Sequence, residues 1–379
     1  MDSCLDSIRF YNKEEVQPAL QSMAKHPMML ALLQFTFPNK SEDDIAEMLL
    51  SIDSIEDFQD KVISHCIRTI LKRSSEGLTV SGLENLDKNK TYLFISNHRD
   101  IVLDTSLINL ALLENGFQLT ASAIGDNLVQ RDIFMVLAKL NRNFLVKRDV
   151  SPRELLKSSQ LMSDYIKDLI LKQHQSVWIA QREGRTKDGN DMTHPGVLKM
   201  IAMTNGKDEV CEYFKSLNIV PVSISYEYDP TDKLKTYKAI QAQKSEVVVK
   251  SKNEDFENVM AGVLGQKKRI HIHFGDVLND TLEVIKSNAE NNNQKIQLLA
   301  ESIDKEIIGH YHLFPNNFIA LDLLKESNDF AKYYNQEEKD LFNRRMSWSI
   351  DAKDVAIKTH FLSHYANPVI NKIKLGFEF

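Results

Sequence analysis

The sequence predicts an α/β fold: a mixed, mostly parallel sheet flanked by helices, preceded by a small helical bundle and followed by C-terminal helices. From residue 92 onward, short apolar runs alternate with stretches of helical period, as in domains whose strands are joined by helices. Before residue 77 the helical period prevails, and from about residue 290 it returns. We therefore expect a helical bundle over residues 1–76 and an α/β domain with a helical C-terminal extension over residues 77–379.

The N-terminal bundle is predicted from a helix cap and from apolar stripes. Ser41 with Asp44 resembles a capping box, in which each side chain satisfies a backbone N–H near the other residue. A further helix is indicated by a stripe of residues at helical spacing: Phe58, Val62, Cys66, Thr69 and Ile70. The apolar run 28–37 has about ten residues, against roughly 20 for a membrane-spanning helix, so we expect it to be buried in the bundle.

A short strand around residues 78–80 is expected to lead into the α/β domain. Six apolar runs are predicted as its strands: 92–96, 119–124, 144–146, 176–180, 219–226 and 270–274. Helices are predicted between them, at about 103–115, 127–139, 152–173, 195–217 and 253–264. The clearest helix start is Ser151-Pro152-Arg153-Glu154, with Ser at the N-cap, Pro at the first helical position and Glu at the third.

Composition and charge restrict the class of protein. With 42% hydrophobic and 26% charged residues, the 379-residue chain is typical of globular proteins. A net charge of −6 argues against a nucleic-acid-binding protein. Cys4, Cys66 and Cys211 are widely spaced and odd in number, which excludes a disulfide scaffold and fits a reducing compartment. The acidic N-terminus differs from a secretory signal, so we expect a cytoplasmic protein able to touch the inner face of a membrane but not to cross it.

The strand 92–96 ends in the residues with the strongest chemical character in the chain. They follow it in the order Asn97, His98, Arg99, Asp100 and, after a short apolar spacer, Asp104. An imidazole can act as a base near neutral pH, and a carboxylate beside it can orient it and stabilise its charged form. Ligands of α/β sheets gather at the carboxyl ends of the strands. We therefore predict a His/Asp pair that deprotonates a hydroxyl group.

Basic residues surround two further predicted strands, 144–146 and 176–180. They are Arg142, Lys147, Arg148, Arg182, Arg185 and Lys187. Arg matches the geometry of phosphate better than other side chains do. Such a run by itself is more often a solvated face or a set of surface ion pairs. Beside a His base, however, it indicates an acceptor that carries both a hydroxyl and a phosphate.

Three alternative functions, a protein kinase, a serine hydrolase and a metal site, each lack a sequence feature that they require. The tripeptide His98-Arg99-Asp100 also occurs in the catalytic loop of protein kinases, but Thr105 stands where that loop needs Asn, and no Gly-rich loop precedes it. No Gly-x-Ser-x-Gly sequence of a serine hydrolase occurs. His271 and His273 lie on one face of a predicted strand and suit a metal, but a third ligand is not within sequence reach. We predict structural roles for them and no metal site.

Four short segments of the sequence, taken in order, resemble the four motif blocks of the glycerolipid acyltransferases. That family includes glycerol-3-phosphate, lysophosphatidate and dihydroxyacetone-phosphate acyltransferases. The resemblance covers residues 92–228 in four blocks: Asn97-His98 with Asp104, Asn143-Phe144-Leu145-Val146-Lys147-Arg148, Glu183-Gly184-Arg185, and Val220-Pro221-Val222. The chain is similar in particular to the soluble plastid-type glycerol-3-phosphate acyltransferase. Arg142-Asn143 with Lys147 looks like the second block of that enzyme. Trp178-Ile179-Ala180 with Gly184-Arg185 looks like its third block. That enzyme also has a helical bundle before its α/β domain.

The resemblance implies an enzyme that moves a fatty acyl group from acyl-CoA or acyl carrier protein to the hydroxyl of glycerol 3-phosphate in phospholipid synthesis. His98 would be the general base and Asp104 would orient it. The acceptor would be bound by Arg99, Arg142, Lys147, Arg148, Glu183, Gly184, Arg185 and Pro221. No cofactor, metal or covalent acyl-enzyme is implied. Lysophosphatidate is the alternative acceptor, and an inactive relative that binds lipid is a further alternative.

The chain departs from the family pattern in two blocks. Five residues separate His98 from Asp104 where the family has four, and Leu103 holds the expected position of the carboxylate. Either the turn bulges by one residue, or Asp100 takes the role, or the site is inactive. The apolar spacer before Asp104 favours the bulge. The third block reads Gly-Arg-Thr where most members have Gly-Thr-Arg, which leaves the phosphate ligands less defined than the reaction.

Overall fold

One mixed sheet organises the computed structural model, which describes residues 5–148, 150–206, 208–244 and 254–379. Its seven strands are β1 (Ser75–Ser81), β2 (Leu93–Ser96), β3 (Ala121–Gly125), β4 (Asn143–Val146), β5 (Val177–Ala180), β6 (Ile219–Tyr226) and β7 (Lys268–Phe274). Their order in the sheet is β1-β7-β6-β2-β5-β3-β4. Neighbours pair in parallel except β6 and β7, which are antiparallel. The predicted mixed, mostly parallel sheet is confirmed.

Helices before the sheet form the bundle. They are α1 (Lys13–Ala24), α2 (Pro27–Thr36), α3 (Glu42–Leu50), α4 (Ile55–Phe58), a π-helical turn (Gln59–Ile63) and α5 (Ser64–Ser74). The capping box of Ser41 and Asp44 is present at the start of α3. Met29, Leu30 and Leu33 of α2 are buried in the bundle core, as expected for this apolar run. The predicted boundary between residues 76 and 77 falls within β1, which pairs with β7.

The helices that connect the strands lie on both faces of the sheet. They are α6 (Leu103–Glu114), α7 (Asp132–Leu140), α8 (Pro152–Leu171), α9 (Pro195–Ile201), α10 (Val210–Ser216), α11 (Asp232–Gln243) and α12 (Glu254–Leu264). Ser151 caps α8 as predicted. The single helix predicted over 195–217 is wrong, because a 3₁₀ turn and Gly206, whose φ is +67°, separate α9 from α10. Helix α11 was not predicted.

Alternation along the strands builds two cores. Leu93 and Ile95 of β2 belong to a core that includes residues of α8 and α14 (Asn292–His310), whereas Phe94 belongs to a second core that includes residues of α6. Each core is lined by successive side chains of the same strand, because neighbouring residues of a strand point to opposite faces. A sheet covered on both faces leaves the ends of its strands as the place where polar side chains can meet a ligand.

C-terminal helices complete the fold. Besides α14 they are α13 (Asn279–Asn288), α15 (Pro315–Lys325), α16 (Gln336–Ser349) and α17 (Val355–Lys374). Phe342, Phe361 and Val369 are buried in a further core, which α15, α16 and α17 share. In the described ranges, none of the helices combines the length and the apolar character needed to cross a bilayer.

Candidate active site

The carboxyl ends of five parallel strands lie next to one another, and together these strand ends form one edge of the sheet. Strands β4, β3, β5, β2 and β6 all run in the same direction, so the segments that leave them are brought together there. Those segments carry the predicted base after β2, the basic pair after β4 and the Arg-containing loop after β5. This is the position at which α/β sheets bind their ligands.

His98 and Asp104 are in contact at this edge. Nδ1 of His98 lies 2.8 Å from Oδ2 of Asp104. The side chain of Asp104 is fully buried, whereas that of His98 remains 15% exposed. The His98 ring also packs edge-on against Trp178 of β5, with 5.6 Å between ring centroids. One ring nitrogen is held by the buried carboxylate, whereas the other has no hydrogen-bond partner among the described residues and can meet a substrate.

The turn between His98 and Asp104 wraps around the Asp104 carboxylate. This path accommodates the one extra residue that separates the two side chains in the sequence. Oδ2 of Asp104 accepts hydrogen bonds from the backbone N–H groups of Arg99, at 2.6 Å, and Asp100, at 2.9 Å. Oδ1 of Asp100 accepts from Val102 and Leu103, at the start of α6. The extra residue thus lies in the turn before α6. Burial, and then the charge of Asp104, raise the pKa of Asp100.

Asn97 and Ser96 hold the turn in register with its neighbouring strands. The Asn97 side chain donates to the carbonyl of Ile224 and accepts from its N–H, which extends the pairing of β2 with β6 beyond the end of β2. Trp178 donates from Nε1 to the Ser96 hydroxyl at 3.0 Å. Asn97 therefore fixes the backbone before His98 against β6, and the hydrogen bond to Ser96 fixes the Trp178 ring beside His98.

A second turn carries positive charge to the same edge. The N–H of Thr186 donates to the carbonyl of His98 at 2.9 Å, so the loop after β5 is tied to the base. The Arg185 guanidinium donates to Thr231 and Asn258, at 3.4 and 3.2 Å. Desolvation, and then repulsion from nearby cations, lower the pKa of Lys187. Within the described residues, neither Arg185 nor Lys187 has a carboxylate within ion-pair distance, so both remain available to an anion.

The basic pair after β4 is already engaged by acidic side chains. Arg148 forms an exposed ion pair with Glu183, and Lys147 lies 3.6 Å from Asp126. Gly184, next to Glu183, has a φ of +71°, and a Cβ added there would meet no atom of the described residues within 4 Å, so the loop turns here beside open space. The Glu183 side chain is 78% exposed, and ion pairs of this kind are weak and readily exchanged.

One family model matches part of the chain. The model described as Acyltransferase matches residues 77–225. The match supports acyltransferase activity for this segment. The match runs from β1 into β6 and contains the His98 turn and both basic segments. No curated protein matches the chain. One similar solved structure is the 1-acyl-sn-glycerophosphate (LPA) acyltransferase PlsC from Thermotoga maritima, at 14% identity and a TM-score of 0.39, covering 78% of this chain and 97% of that one.

Three residues predicted to bind the acceptor lie elsewhere in the matched segment. The Arg142 side chain is buried against the bundle, where it contacts Gln59 and Glu56, because it precedes β4 and so lies at the opposite edge of the sheet. Arg99 is buried in an ion pair with Asp191. Pro221 is a buried residue within β6, opposite Ile95. The structure does not bring these side chains to the exposed side of His98.

Buried charges connect the C-terminal extension to the turn that carries His98. Lys235 of α11 is paired with Asp229 and also donates to the carbonyl of Arg99 at 2.7 Å. His364 of α17 contacts the same Asp229, at 3.1 Å. Its other ring nitrogen lies 3.3 Å from the carbonyl of Lys187. The α17 helix thereby connects the His98 turn to the basic loop.

Helix α12 lies over the same edge of the sheet. Its Asn258 accepts from Arg185, and Gly262 packs so closely on Asp100 that an added Cβ would stand 2.1 Å from a carboxylate oxygen. That oxygen, Oδ2, is buried and lacks a hydrogen-bond partner among the described residues. The helix therefore closes one side of the site and leaves the His98 ring accessible from another.

Two more histidines, distant from His271 and His273 in the sequence, lie against them in the structure. His310 stacks on His273 with 4.0 Å between centroids, and His312 lies 5.0 Å from His271. The His271 nitrogens are bonded to the hydroxyls of Thr79 and Ser81. In the part of the chain that the structure describes, no group of three or more His, Cys, Asp or Glu side chains is arranged to hold a metal ion.

Sequence reasoning missed one residue that contacts the predicted pair. Tyr226, at the end of β6, donates to Oδ1 of Asp104 at 2.9 Å. No local pattern could reveal it, because it lies 122 positions after Asp104 in the chain. Lys187 was among the basic residues predicted around the strands, although it was not among those expected to bind the acceptor.

Proposed function

We propose that the chain transfers a fatty acyl group from acyl-CoA or acyl carrier protein to the hydroxyl of glycerol 3-phosphate in phospholipid synthesis. One observation carries the proposal: the His98–Asp104 pair, with a contact of 2.8 Å, is tied by the Thr186 N–H to the loop that carries Arg185 and Lys187, cations that have no carboxylate partner in the described residues. A base next to a cationic loop suits an acceptor that has both a hydroxyl and a phosphate. The order Gly184-Arg185 and the bundle before the sheet support a likeness to the plastid-type enzyme.

The chemistry follows from the tautomer that Asp104 selects. A carboxylate only accepts hydrogen bonds, so Nδ1 of His98 carries the proton and Nε2 is the base. Nε2 removes the acceptor hydroxyl proton as the oxygen attacks the thioester carbonyl carbon and the C–O bond forms. The C–S bond then breaks, and the imidazolium returns the proton to the leaving thiolate. Base catalysis of this kind is typically worth about 10²- to 10⁴-fold.

The acceptor phosphate would be held by the loop after β5. Arg185 is oriented by two neutral acceptors, Thr231 and Asn258, so a phosphate would not have to displace a carboxylate from it. Arg148 would exchange its exposed partner Glu183 for phosphate at little cost. Together with Lys147 and Lys187, these groups supply charge-assisted hydrogen bonds to several phosphate oxygens.

A lipid acceptor is the second candidate, favoured by the first turns of α8. Leu155 and Leu156 are 52% and 63% exposed there, next to the exposed cations Arg153 and Lys157. This segment follows Arg148 and so begins near the catalytic edge. Apolar side chains flanked by cations suit an anionic lipid surface. We infer peripheral contact with the inner face of a membrane, and lysophosphatidate as the alternative acceptor.

An acceptor screen tests the proposal. Purified protein is given palmitoyl-CoA with glycerol 3-phosphate, with lysophosphatidate or with no acceptor, in the presence and absence of anionic vesicles, and free thiol is measured. We expect acceptor-dependent thiol release that His98→Ala abolishes. Repeating the assay with acyl carrier protein as donor distinguishes the two thioesters. No acceptor-dependent release under any of these conditions would favour the inactive, lipid-binding alternative.

A further inference from the structure

The Asp104 carboxylate is surrounded by donors on both oxygens. Oδ2 meets Nδ1 of His98 and the N–H groups of Arg99 and Asp100, while Oδ1 meets the hydroxyl of Tyr226. The phenol is the one side-chain donor on Oδ1 within the described residues. Its strength as a donor therefore influences how much negative charge remains for His98.

The fold delivers Tyr226 to this position with precision. Every residue of β6 is buried, and the strand is held between β2 and β7. The Asn97 side chain bonds both backbone groups of Ile224, two residues before Tyr226. The phenol therefore has little freedom to leave the carboxylate. Burial, and then the charge of Asp104, raise the pKa of Tyr226 well above its ordinary value, so the hydroxyl keeps its proton at neutral pH and can donate it.

We propose that Tyr226 is a positioning residue that sets the basicity of His98 through Asp104. The role assigned to His98 rests on the proposed function. A donor to a carboxylate disperses its negative charge and weakens its hold on a proton at the opposite oxygen. Without the phenol, Asp104 stabilises the imidazolium more strongly. The imidazole then binds its proton more tightly and is free as a base over a narrower pH range.

Other charged groups near the pair stay constant in the test. They are Asp100 on the same turn, Arg185 from the loop after β5, Asp229 after β6 and Lys267 after α12. Replacing Tyr226 by Phe removes only a hydroxyl and keeps the ring that fills the core. A change in the titration of His98 can therefore be attributed to the lost hydrogen bond.

The experiment compares the wild type with Tyr226→Phe by NMR of the histidine ring nitrogens, with the His98 signal assigned from His98→Asn. We expect the midpoint of the His98 titration to move to higher pH by about half to one pH unit, the equivalent of part of one hydrogen bond to a charged group. The acid limb of the kcat/KM profile should move by the same amount. KM for glycerol 3-phosphate should stay unchanged.

Tyr334→Phe is the matched control. The Tyr334 hydroxyl donates to the buried carboxylate of Asp322 at 2.8 Å, among the C-terminal helices. Both variants lose a Tyr–Asp hydrogen bond, but only Tyr226→Phe should move the His98 midpoint. Equal losses of stability with an unmoved midpoint would overturn the inference. A moved midpoint in a protein without transferase activity would support the coupling and overturn the proposed function instead.

Discussion

Nδ1 of His98 and Oδ2 of Asp104 are 2.8 Å apart, although one more residue separates them than in the family pattern. The turn between them closes because Asp104 accepts from two backbone N–H groups of the same segment. Asp100, the other candidate partner, points its carboxylate at the start of α6. The inserted residue therefore lengthens the turn without separating base and carboxylate.

Loss of the proposed base should slow the reaction sharply. We expect His98→Ala to lower kcat for acyl transfer by about 10²- to 10⁴-fold, because the side chain proposed to take the hydroxyl proton is removed. Thiol release from acyl-CoA measures the loss. His310→Ala is the control, since this exposed imidazole lies at the end of α14. Equal activity of the two variants would contradict the role of His98.

The two aspartates of the turn should differ sharply. Asp104→Asn keeps the shape of the side chain but loses the charge that orients His98, and we expect kcat to fall by about 10²-fold or more. Asp100→Asn keeps an oxygen for the N–H groups of Val102 and Leu103, so its kcat should change by less than about fivefold. Parallel kinetics of the two variants provide the measurement. The reverse order would assign the orienting role to Asp100.

Arg185 and Arg142 should affect different properties. Arg185→Ala should raise KM for glycerol 3-phosphate by about 10- to 100-fold, the value of one charge-assisted hydrogen bond, with a smaller effect on stability. Arg142→Ala should leave KM unchanged and lower the free energy of unfolding by about 2 kcal/mol, because Gln59 loses a buried partner. Steady-state kinetics and urea unfolding separate the two. An increase in KM for Arg142→Ala would place it in the acceptor site.

Close packing of α12 on the turn that carries His98 predicts a steric effect. A Cβ at position 262 would stand 2.1 Å from a buried oxygen of Asp100, so Gly262→Ala must displace the helix or the turn. We expect a loss of about 1–3 kcal/mol in the free energy of unfolding, together with lower activity. In an Asp100→Ala background the clash disappears, and the same substitution should cost much less. Additive effects in this double-mutant cycle would rule out the contact.

Asp304 should make stability depend on pH. Its Oδ1 accepts from the N–H of Thr193 at 2.6 Å, and burial raises its pKa from 3.8 to about 6. A carboxylic acid whose pKa is higher in the folded than in the unfolded protein favours the folded state in its protonated form. Its contribution to stability is therefore complete at pH values below the ordinary pKa of 3.8 and is lost as the pH rises through about 6. Asp304→Asn should therefore gain about 2–3 kcal/mol relative to the wild type between about pH 4 and pH 7.

Urea unfolding across this pH range measures the difference. Asp329→Asn, at an exposed position among the C-terminal helices, serves as the control and should follow the wild type at every pH. A constant difference between Asp304→Asn and the wild type would mean that Asp304 titrates normally in the folded protein.

Local patterns predicted the strands and several helix starts because their causes are local. Short apolar runs between stretches of helical period located β2 through β7, and the cap at Ser151 located α8. The break between α9 and α10 was missed, although Asn205-Gly206 marks it, because the apolar pattern continues on both sides. The short polar helix α11 was missed because its packing against α17, which no local signal reports, holds it in place.

Whether a charged side chain reaches the site was decided by tertiary structure. Arg142 and Arg148 flank the same strand, yet only Arg148 leaves its carboxyl end, and Arg142 is buried against Gln59. Strand direction separates the two. The sequence showed the two charges but not the edges at which they lie.

By itself, the sequence determined the α/β fold, the His98 turn and the kind of chemistry, because strand periodicity and the order of the blocks are properties of adjacent residues. Only the tertiary structure decided which carboxylate meets His98 and brought Tyr226 to that carboxylate. Both depend on the register of β6 beside β2 and on the path of a turn. These are set by long-range packing and by hydrogen bonds between residues far apart in the chain.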